Sequence, residues 1–197
     1  MLKRAFDIVF SGLGLIFILP LSIIIAILIK LESKGTIFYR QTRVGQFNKD
    51  FKIFKFRTMK TDSEKLGLLT LGDKDYRVTK IGYYLRKFKL DELPQLINVF
   101  IGNMSFVGPR PEVRKYLNCY SEEDLKILYL KPGITDFASI EFRNEAELLK
   151  DAENPEAFYI DNILPKKLKL HKEYLKKKSL ITDIKIILKT LASIVKS

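Results

Sequence analysis

Residues 89–112 read KLDELPQLINVFIGNMSFVGPRPE and combine two features that bear on both fold and chemistry. Asp91 and Glu92 stand together at the start of a short apolar run, and Gly102 ends that run. Arg110 follows between two prolines, which restrict the backbone on both sides of it. A carboxylate pair facing a rigidly held arginine suits phosphoryl chemistry on an anionic substrate. In that chemistry a carboxylate serves as nucleophile or metal ligand and the guanidinium binds phosphate.

The Asp91–Glu92 pair also has a purely structural interpretation. Aspartate is a favoured helix N-cap, and a glutamate in the first turn is stabilised by the helix dipole. In the functional interpretation the same helix N-terminus keeps Asp91 ionised for attack on phosphorus, while Glu92 holds Mg²⁺. The local sequence is compatible with both interpretations. Arg86, which precedes the pair, is a further candidate contact for phosphate.

Composition and charge narrow the class of protein. The 197 residues are 47% hydrophobic, which is too apolar for a disordered chain and sufficient for one domain with a core. The formal net charge of +12 favours a polyanionic partner; nucleic acid, an anionic membrane leaflet and a nucleotide substrate all qualify. With one cysteine, Cys119, the chain has no intrachain disulfide and no Cys-based zinc site. A metal here would be a hard ion held by oxygen, such as Mg²⁺.

The N-terminal segment has the length and polarity of a membrane helix. Residues 8–29 carry no charge, and as a helix these 22 residues would extend about 33 Å, close to the thickness of the hydrocarbon core. Pro20 lies in the middle of the run, where it removes a backbone hydrogen bond and favours a kink. Basic residues flank the run on both sides, with Lys3 and Arg4 before it and Lys30, Lys34, Arg40 and Arg43 after it. The residues therefore fit either a transmembrane span or a re-entrant helix that returns through one leaflet.

The sequence after this segment predicts a strand pair and a loop. Residues 36–43 and 51–58 are rich in aromatic and β-branched side chains and predict two strands around a turn-prone stretch, 45–50. Their interleaved basic residues fit a solvated sheet face, with Arg57 as the best candidate for an anion contact. Residues 59–75 are polar and contain glycine, which predicts a loop.

Two segments predict amphipathic helices with basic faces. In residues 78–89, Ile81, Tyr84, Leu85 and Phe88 share one face. In residues 180–196 the apolar stripe consists of Ile184, Ile187, Leu188, Leu191, Ile194 and Val195. Such helices either pack on a core or lie at a membrane surface. We therefore predict a single helix-rich α+β domain with an N-terminal membrane helix and amphipathic interfacial helices.

Six segments together resemble the bacterial sugar transferases, also called small monotopic phosphoglycosyl transferases. They are KRAFDIVFSGLGLIFILP (3–20), KGTIFYRQTRVG (34–45), FKIFKFRTM (51–59), KLDELPQLINVFIGNMSFVGPRPE (89–112), LKPGIT (130–135) and residues 174–190. The third and fourth are highly specific in combination. The resemblance extends over nearly the whole chain.

The resemblance implies a site and a reaction. Asp91 would be the nucleophile, Glu92 the Mg²⁺-associated carboxylate and Arg110 a contact for substrate phosphate, while Pro20 would break a re-entrant helix. A sugar 1-phosphate would pass from a nucleotide diphospho-sugar, usually UDP-linked, to polyprenyl phosphate through a covalent aspartyl intermediate. The product would be the first intermediate of a surface glycan and would pass to further glycosyltransferases.

The resemblance also implies a location. Residues 1–30 would be embedded in the bacterial inner membrane. Residues 31–197 would form a cytosolic catalytic domain docked on it, in contact with membrane lipids and not with nucleic acid.

The chain departs from the common family pattern after LKPGIT. Many relatives continue with GWAQVNGR, whereas residues 136–143 here read DFASIEFR, which leaves the identity of the sugar open. Leu19 precedes Pro20 where some relatives carry serine. A rival hypothesis is a non-catalytic basic module that binds membrane or nucleic acid. It explains the charge but not the Asp-Glu and Pro-Arg-Pro arrangement.

Overall fold

The computed structural model of the chain describes residues 1–61, residue 63 and residues 75–195. Most of the predicted loop 59–75 therefore lies outside the described residues. Residue 196, the last of the predicted helix 180–196, also lies outside them. The helices are α1 (Leu2–Glu32), α2 (Lys80–Lys87), α3 (Gln95–Ile101), α4 (Arg114–Leu117), α5 (Glu122–Leu125), α6 (Phe137–Glu141), α7 (Glu145–Lys150), α8 (Pro155–Phe158), α9 (Leu164–Lys177) and α10 (Leu180–Val195). The strands are β1 (Phe38–Val44), β2 (Asp50–Phe56), β3 (Ser105–Val107) and β4 (Gly133–Thr135). The described chain is thus helix-rich with short strands, as predicted.

Helix α1 is continuous and mostly exposed. Pro20 lies inside the helix and does not end it. In the most apolar stretch of 18 residues, 11% of the residues are buried. The helix is long and apolar enough to cross a membrane. Phe17 and Ile16 have exposed fractions of 87% and 73%, values that would be costly for such side chains in water.

The N-terminal turn of α1 is bonded to the body, which we define as the described residues after 34. Lys3 Nζ donates to the Val107 carbonyl at 2.9 Å and forms an ion pair with Asp183. Asp7, which is buried, accepts hydrogen bonds from Ser105 Oγ at 3.1 Å and from a backbone amide of the same strand. The start of α1 is therefore fixed to β3 and α10.

The C-terminal end of α1 is bonded to the same body. Arg57 lies directly after β2 and donates to the carbonyls of Ser33 and Lys34, both at 2.8 Å. The Glu32 carboxylate accepts a hydrogen bond from the Ile81 amide at the start of α2, at 3.1 Å. Ile29 packs in a buried cluster with residues of β2 and α2. Both ends of the membrane-length helix are therefore held by one body.

Strands β1 and β2 form the predicted hairpin, in which Phe38 pairs with Phe56 and Val44 with Asp50. Helix α3 docks on this hairpin through Asn98, which is fully buried. Its side-chain carbonyl accepts from the Phe54 amide and its amide nitrogen donates to the Lys52 carbonyl, both at 2.9 Å. These two bonds fix the segment around α3 against the edge of β2.

The parallel pair β3 and β4 brings two of the family-like segments together, VGPRP and LKPGIT. The backbones meet at Gly108 and Gly133. A Cβ on Gly108 would lie 2.2 Å from the Lys131 carbonyl oxygen, and one on Gly133 would lie 2.1 Å from the Gly108 nitrogen. Glycine is required at both positions because two backbones approach too closely for any side chain.

The two predicted amphipathic helices present only part of their apolar faces to the core. In α2, Leu85 is buried and Tyr84 is more than half exposed, as is Phe88 directly after the helix. In α10 the predicted stripe is divided, because Ile187 packs with the fully buried Ile186 in the core. The outward face carries Ile181, Ile184, Leu188 and Leu191, all with exposed fractions of 41% or more. An apolar face of this kind, without a partner among the described residues, favours the membrane-surface alternative for α10.

Gly108→Ala should destabilise the fold, because the new Cβ would meet backbone atoms that cannot move aside. We expect a loss of about 2 kcal/mol or more, which corresponds to a fall of about 5 °C in the midpoint of thermal unfolding in detergent. Gly12→Ala is the matched control, since its Cβ would meet only the Phe100 ring at 3.4 Å. Equal midpoints for the two variants would contradict the close backbone crossing.

Candidate active site

Asp91 and Glu92 lie in a single 3₁₀ turn, Leu90–Glu92, between α2 and α3. Lys89 precedes the turn in the left-handed region, with φ of 56°, and so redirects the chain out of α2. Helix α3 begins later, at Gln95, and its N-terminus has no side-chain cap. The N-cap interpretation of Asp91 is therefore wrong, because Pro94 and not Asp91 occupies the cap position.

The Glu92 carboxylate is held between two cations. Lys55 Nζ donates to Oε1 at 2.8 Å. The Arg110 guanidinium donates to both oxygens, through Nη1 to Oε2 at 3.2 Å and through Nη2 to Oε1. The predicted Arg110 therefore contacts the predicted carboxylate pair, through Glu92. Lys55 from strand β2 is a second contact, although the sequence pattern assigns Lys55 to a solvated sheet face.

These contacts decide the protonation of the cluster. Burial alone would raise the pKa of Glu92, but Arg110 and Lys55 outweigh burial and hold it well below its usual range. Burial lowers the pKa of Lys55 even though Glu92 opposes that shift. Glu92 in turn raises the pKa of Arg110. Glu92 is therefore an ionised carboxylate whose charge is already offset by its two partners.

Asp91 has a different environment although it is the next residue. It has an exposed fraction of 8%, and its carboxylate accepts no hydrogen bond from the described residues. Burial and the neighbouring Glu92 raise its pKa, while Lys55, Arg86 and Lys89 oppose the rise. The expectation that a helix N-terminus keeps Asp91 ionised is therefore corrected, because the nearby cations favour its charged form instead.

Arg86 lies near Asp91 and borders the same cluster. Its Nε donates to Thr58 Oγ1 at 2.9 Å. Burial lowers the pKa of this guanidinium, and among the neighbouring charges Asp91 opposes that shift most strongly. Three cations, Lys55, Arg86 and Arg110, thus lie close to the Asp91–Glu92 pair, and Asp75 is a further carboxylate near Arg86.

The turn that presents Arg110 is fixed by a second polar network, which sequence reasoning missed. Tyr159 Oη donates to Glu112 Oε2 at 2.5 Å, and the Val113 amide donates to Glu112 Oε1 at 2.9 Å. Arg43 Nη1 donates to the Pro111 carbonyl at 3.2 Å. Burial and Glu112 raise the pKa of Tyr159, which keeps its phenol protonated as a donor. Tyr159 comes from a π-helical turn distant in sequence, so that no local signal predicts the contact.

Arg57 is not part of this cluster. Its guanidinium is committed to the carbonyls after α1, and the residue has an exposed fraction of 7%. Its contacts give the predicted anion-binding role no support. Arg57 lies here because the last turn of α1 leaves backbone carbonyl groups without helical partners, and the buried guanidinium donates to them.

The donor set suits a hard divalent ion. In the described part of the chain no three metal-ligating side chains converge. Mg²⁺ is commonly held by one or two carboxylates together with substrate phosphates, so a third protein ligand is not required. Asp91 supplies a carboxylate without a hydrogen-bond partner among the described residues, and Glu92 lies beside it with its oxygens bonded to Lys55 and Arg110. The residues fit Mg²⁺ provided that a phosphate completes the coordination.

Comparison with known proteins shows the family of the chain. A family model described as "Bacterial sugar transferase" matches residues 1–197. The chain is 42% identical over 142 residues, or 71% of its length, to the UDP-N-acetylgalactosamine-undecaprenyl-phosphate N-acetylgalactosaminephosphotransferase of Aeromonas hydrophila. It is 39% identical over 194 residues to the UDP-glucose:undecaprenyl-phosphate glucose-1-phosphate transferase of Escherichia coli K12. It is 37% identical over 196 residues to the undecaprenyl-phosphate glucose phosphotransferase of Komagataeibacter xylinus. The matches to the Escherichia coli and Komagataeibacter xylinus proteins each cover 96% of the chain.

These alignments cover 34%, 39% and 35% of the three relatives, respectively, so the chain spans little more than a third of their length. The names of the relatives include two different sugars. The match of the family model, in contrast, extends over every residue of the chain, including the Asp91–Glu92 pair and the Arg110 turn. The chain belongs to the bacterial sugar transferase family.

Proposed function

We propose that this protein is a phosphoglycosyl transferase, which moves a sugar 1-phosphate from a UDP-sugar to a polyprenyl phosphate such as undecaprenyl phosphate. The observation that carries the proposal is the contrast between two adjacent carboxylates. Glu92 is bonded to Lys55 and Arg110, whereas Asp91 is buried beside the same cations and accepts no hydrogen bond from the described residues. The names of the relatives support the substrate classes.

In the first step a carboxylate oxygen of Asp91 attacks the phosphorus that bears the sugar. A bond forms between that oxygen and phosphorus, and the bond from phosphorus to the bridging diphosphate oxygen breaks, which releases UMP. The enzyme then carries an acyl phosphate linked to the sugar. Arg110 and Lys55, which are bonded to Glu92 beside Asp91, would contact the diphosphate and offset part of its negative charge.

In the second step an oxygen of polyprenyl phosphate attacks the same phosphorus. The bond between phosphorus and the Asp91 oxygen breaks, which restores the carboxylate and yields a polyprenyl diphospho-sugar. Mg²⁺, held by Asp91, Glu92 and substrate phosphate, would reduce the repulsion between carboxylate and phosphate. The product would serve glycosyltransferases that extend a surface glycan.

The rival hypothesis of a basic binding module accounts less well for these contacts. A module that only binds anions gains nothing from a buried aspartate, because a carboxylate repels the ligand and is costly to bury. Arginine and lysine alone would suffice. The position of Asp91 within the cationic cluster therefore favours catalysis.

The contacts of α1 support a topology in which both of its ends face the cytosol. A straight helix of this length extends about 46 Å, yet Lys3 near its start and Glu32 at its end are both bonded to the body. If α1 spanned the membrane, its two ends would lie on opposite sides, and the body bonded to both ends would have to extend through about 30 Å of hydrocarbon. The many charged side chains of the body forbid that position. We infer that the exposed middle of α1 enters one leaflet of the inner membrane and returns, with α10 lying at the surface.

Asp91→Asn should abolish release of UMP from a UDP-sugar in the presence of Mg²⁺ and polyprenyl phosphate. Loss of a nucleophile should reduce turnover by more than about 1000-fold. The fold should be retained or stabilised, because burial and Glu92 disfavour the charged form of Asp91 and asparagine removes that charge. Exposed Asp151 provides the control, Asp151→Asn. Substantial turnover by Asp91→Asn would contradict the nucleophile assignment, and absence of UMP from the wild type would favour the binding module.

Lys55→Met should move the acidic limb of the pH profile of kcat/KM to higher pH. Asp91 attacks only when deprotonated, and Lys55 lowers the pKa of Asp91. Removal of that charge therefore raises the pKa of Asp91, so that a higher pH is needed to ionise it. Lys55→Arg keeps the charge and should leave the limb near its wild-type position. An unchanged limb in Lys55→Met would show that Lys55 does not act on the nucleophile.

Single cysteines at Leu2 and Lys34 should both be protected from a membrane-impermeant thiol reagent in intact spheroplasts. Both positions are exposed in the structure, and Cys119→Ser removes the native thiol, which is exposed as well. Both sites should label once the inner membrane is opened. Labelling of the Leu2 site alone in intact spheroplasts would identify α1 as an ordinary span.

A further inference from the structure

Two cations converge at the end of α3 that lies away from the catalytic turn. A Cβ on Gly102 would be 3.1 Å from Arg4 Nη2 and 3.6 Å from Lys131 Nζ, so both charges face the same point. Gly102 has a φ of +94° and no side chain, so that both cationic side chains lie against its backbone. The seven residues of α3, which extend about 10 Å, separate this place from the Asp91–Glu92 turn.

The two cations have unequal partners. Arg4 donates to the last carbonyls of α3, those of Val99 at 2.6 Å and Phe100 at 2.7 Å. Lys131 forms no ion pair and no hydrogen bond with any residue in the described ranges. The nearest acid is Asp7, which is buried and already accepts two hydrogen bonds from β3. Burial and then Arg4 lower the pKa of Lys131, and Asp7 opposes that shift.

Exposed apolar side chains adjoin these cations. Phe100 and Ile101, the last two residues of α3, have exposed fractions of 45% and 55%. Phe100 also contacts α1 at Gly12, beside the exposed apolar surface of that helix, to which Phe10 contributes with 52%. A cationic pair next to apolar surface matches the arrangement of a phospholipid, which has a phosphate attached to hydrocarbon.

We propose that Arg4 and Lys131 form a binding site for the phosphate of an anionic membrane phospholipid, at the corner where α1 meets the end of α3. This inference rests on the proposed membrane location but not on the proposed chemistry. The lipid phosphate supplies the anion that Lys131 lacks, and its acyl chains lie along Phe100 and Ile101. Because the site is at the opposite end of α3 from Asp91, the lipid is a structural ligand and not the acceptor substrate.

The test compares thermal unfolding of the full chain in a neutral detergent with added dioleoylphosphatidylglycerol, dioleoylphosphatidylcholine or inorganic phosphate. Phosphatidylglycerol should raise the midpoint of the wild type, because a ligand of the folded state stabilises it. Phosphatidylcholine and inorganic phosphate should not. Lys131→Gln should lose more than half of the rise, whereas Lys131→Arg should keep it. Lys126→Gln, which removes an exposed lysine five residues away, should respond like the wild type.

A full response in Lys131→Gln would overturn the proposal, as would an equal response to inorganic phosphate, which would indicate a site for free phosphate. Native mass spectrometry provides a second measurement. A phosphatidylglycerol molecule should remain bound to the wild type and be lost from Lys131→Gln. No sugar donor is present in either experiment, so the outcome is independent of whether the protein transfers a sugar phosphate.

Discussion

The contacts of Glu92 with Lys55 and Arg110 are the interaction on which the site depends. A buried carboxylate costs several kcal/mol of solvation free energy unless cations and donors replace its water. The two partners come from β2 and from the proline-flanked turn, so one carboxylate joins three segments that are distant in sequence. Because these side chains are only partly buried, loss of one partner would leave the Glu92 charge less well offset without removing it from water completely. The same contacts distinguish the two neighbouring carboxylates, because Glu92 is bonded to two cations whereas Asp91 accepts no hydrogen bond from the described residues. The different roles proposed for them rest on this contrast.

The membrane helix is integrated into this arrangement and is not merely attached to it. Lys3 joins α1 to α10 and to the Val107 carbonyl, one residue before the Gly108 crossing. Arg57 joins the other end of α1 to the strand that carries Lys55. The contacts at the start of α1 therefore reach the segment that carries Arg110, and those at its end reach the strand that carries Lys55. In the proposed reaction a water-soluble sugar nucleotide and a lipid-linked phosphate meet at one site, and these contacts join the charged cluster to the helix that we propose enters the membrane.

The sequence predicts local features of this protein better than long-range ones. The β1–β2 hairpin follows from aromatic and β-branched periodicity, and the meeting of Arg110 with the carboxylate pair was expected because rigid prolines flank the arginine. The sequence pattern assigns Lys55 to a solvated face. Alternation along a strand indicates which side chains share a face, but it does not indicate that Glu92, distant in sequence, lies opposite Lys55. The contacts of Arg57 are not predicted for a similar reason, since its partners are carbonyl groups, which have no sequence signature. The Tyr159–Glu112 contact depends on a π-helical turn that no residue pattern indicates.

The central claim is that Asp91, and not Glu92, becomes covalently bonded to the sugar phosphate. It is tested most directly by incubating the protein with a UDP-sugar and no acceptor, quenching in acid, digesting with pepsin at low pH and locating the added mass by tandem mass spectrometry. The account predicts a mass increase equal to the phospho-sugar on Asp91, which disappears when polyprenyl phosphate is added before the quench. An adduct on Glu92 would contradict the account. So would the absence of any adduct in a preparation that turns over when acceptor is present.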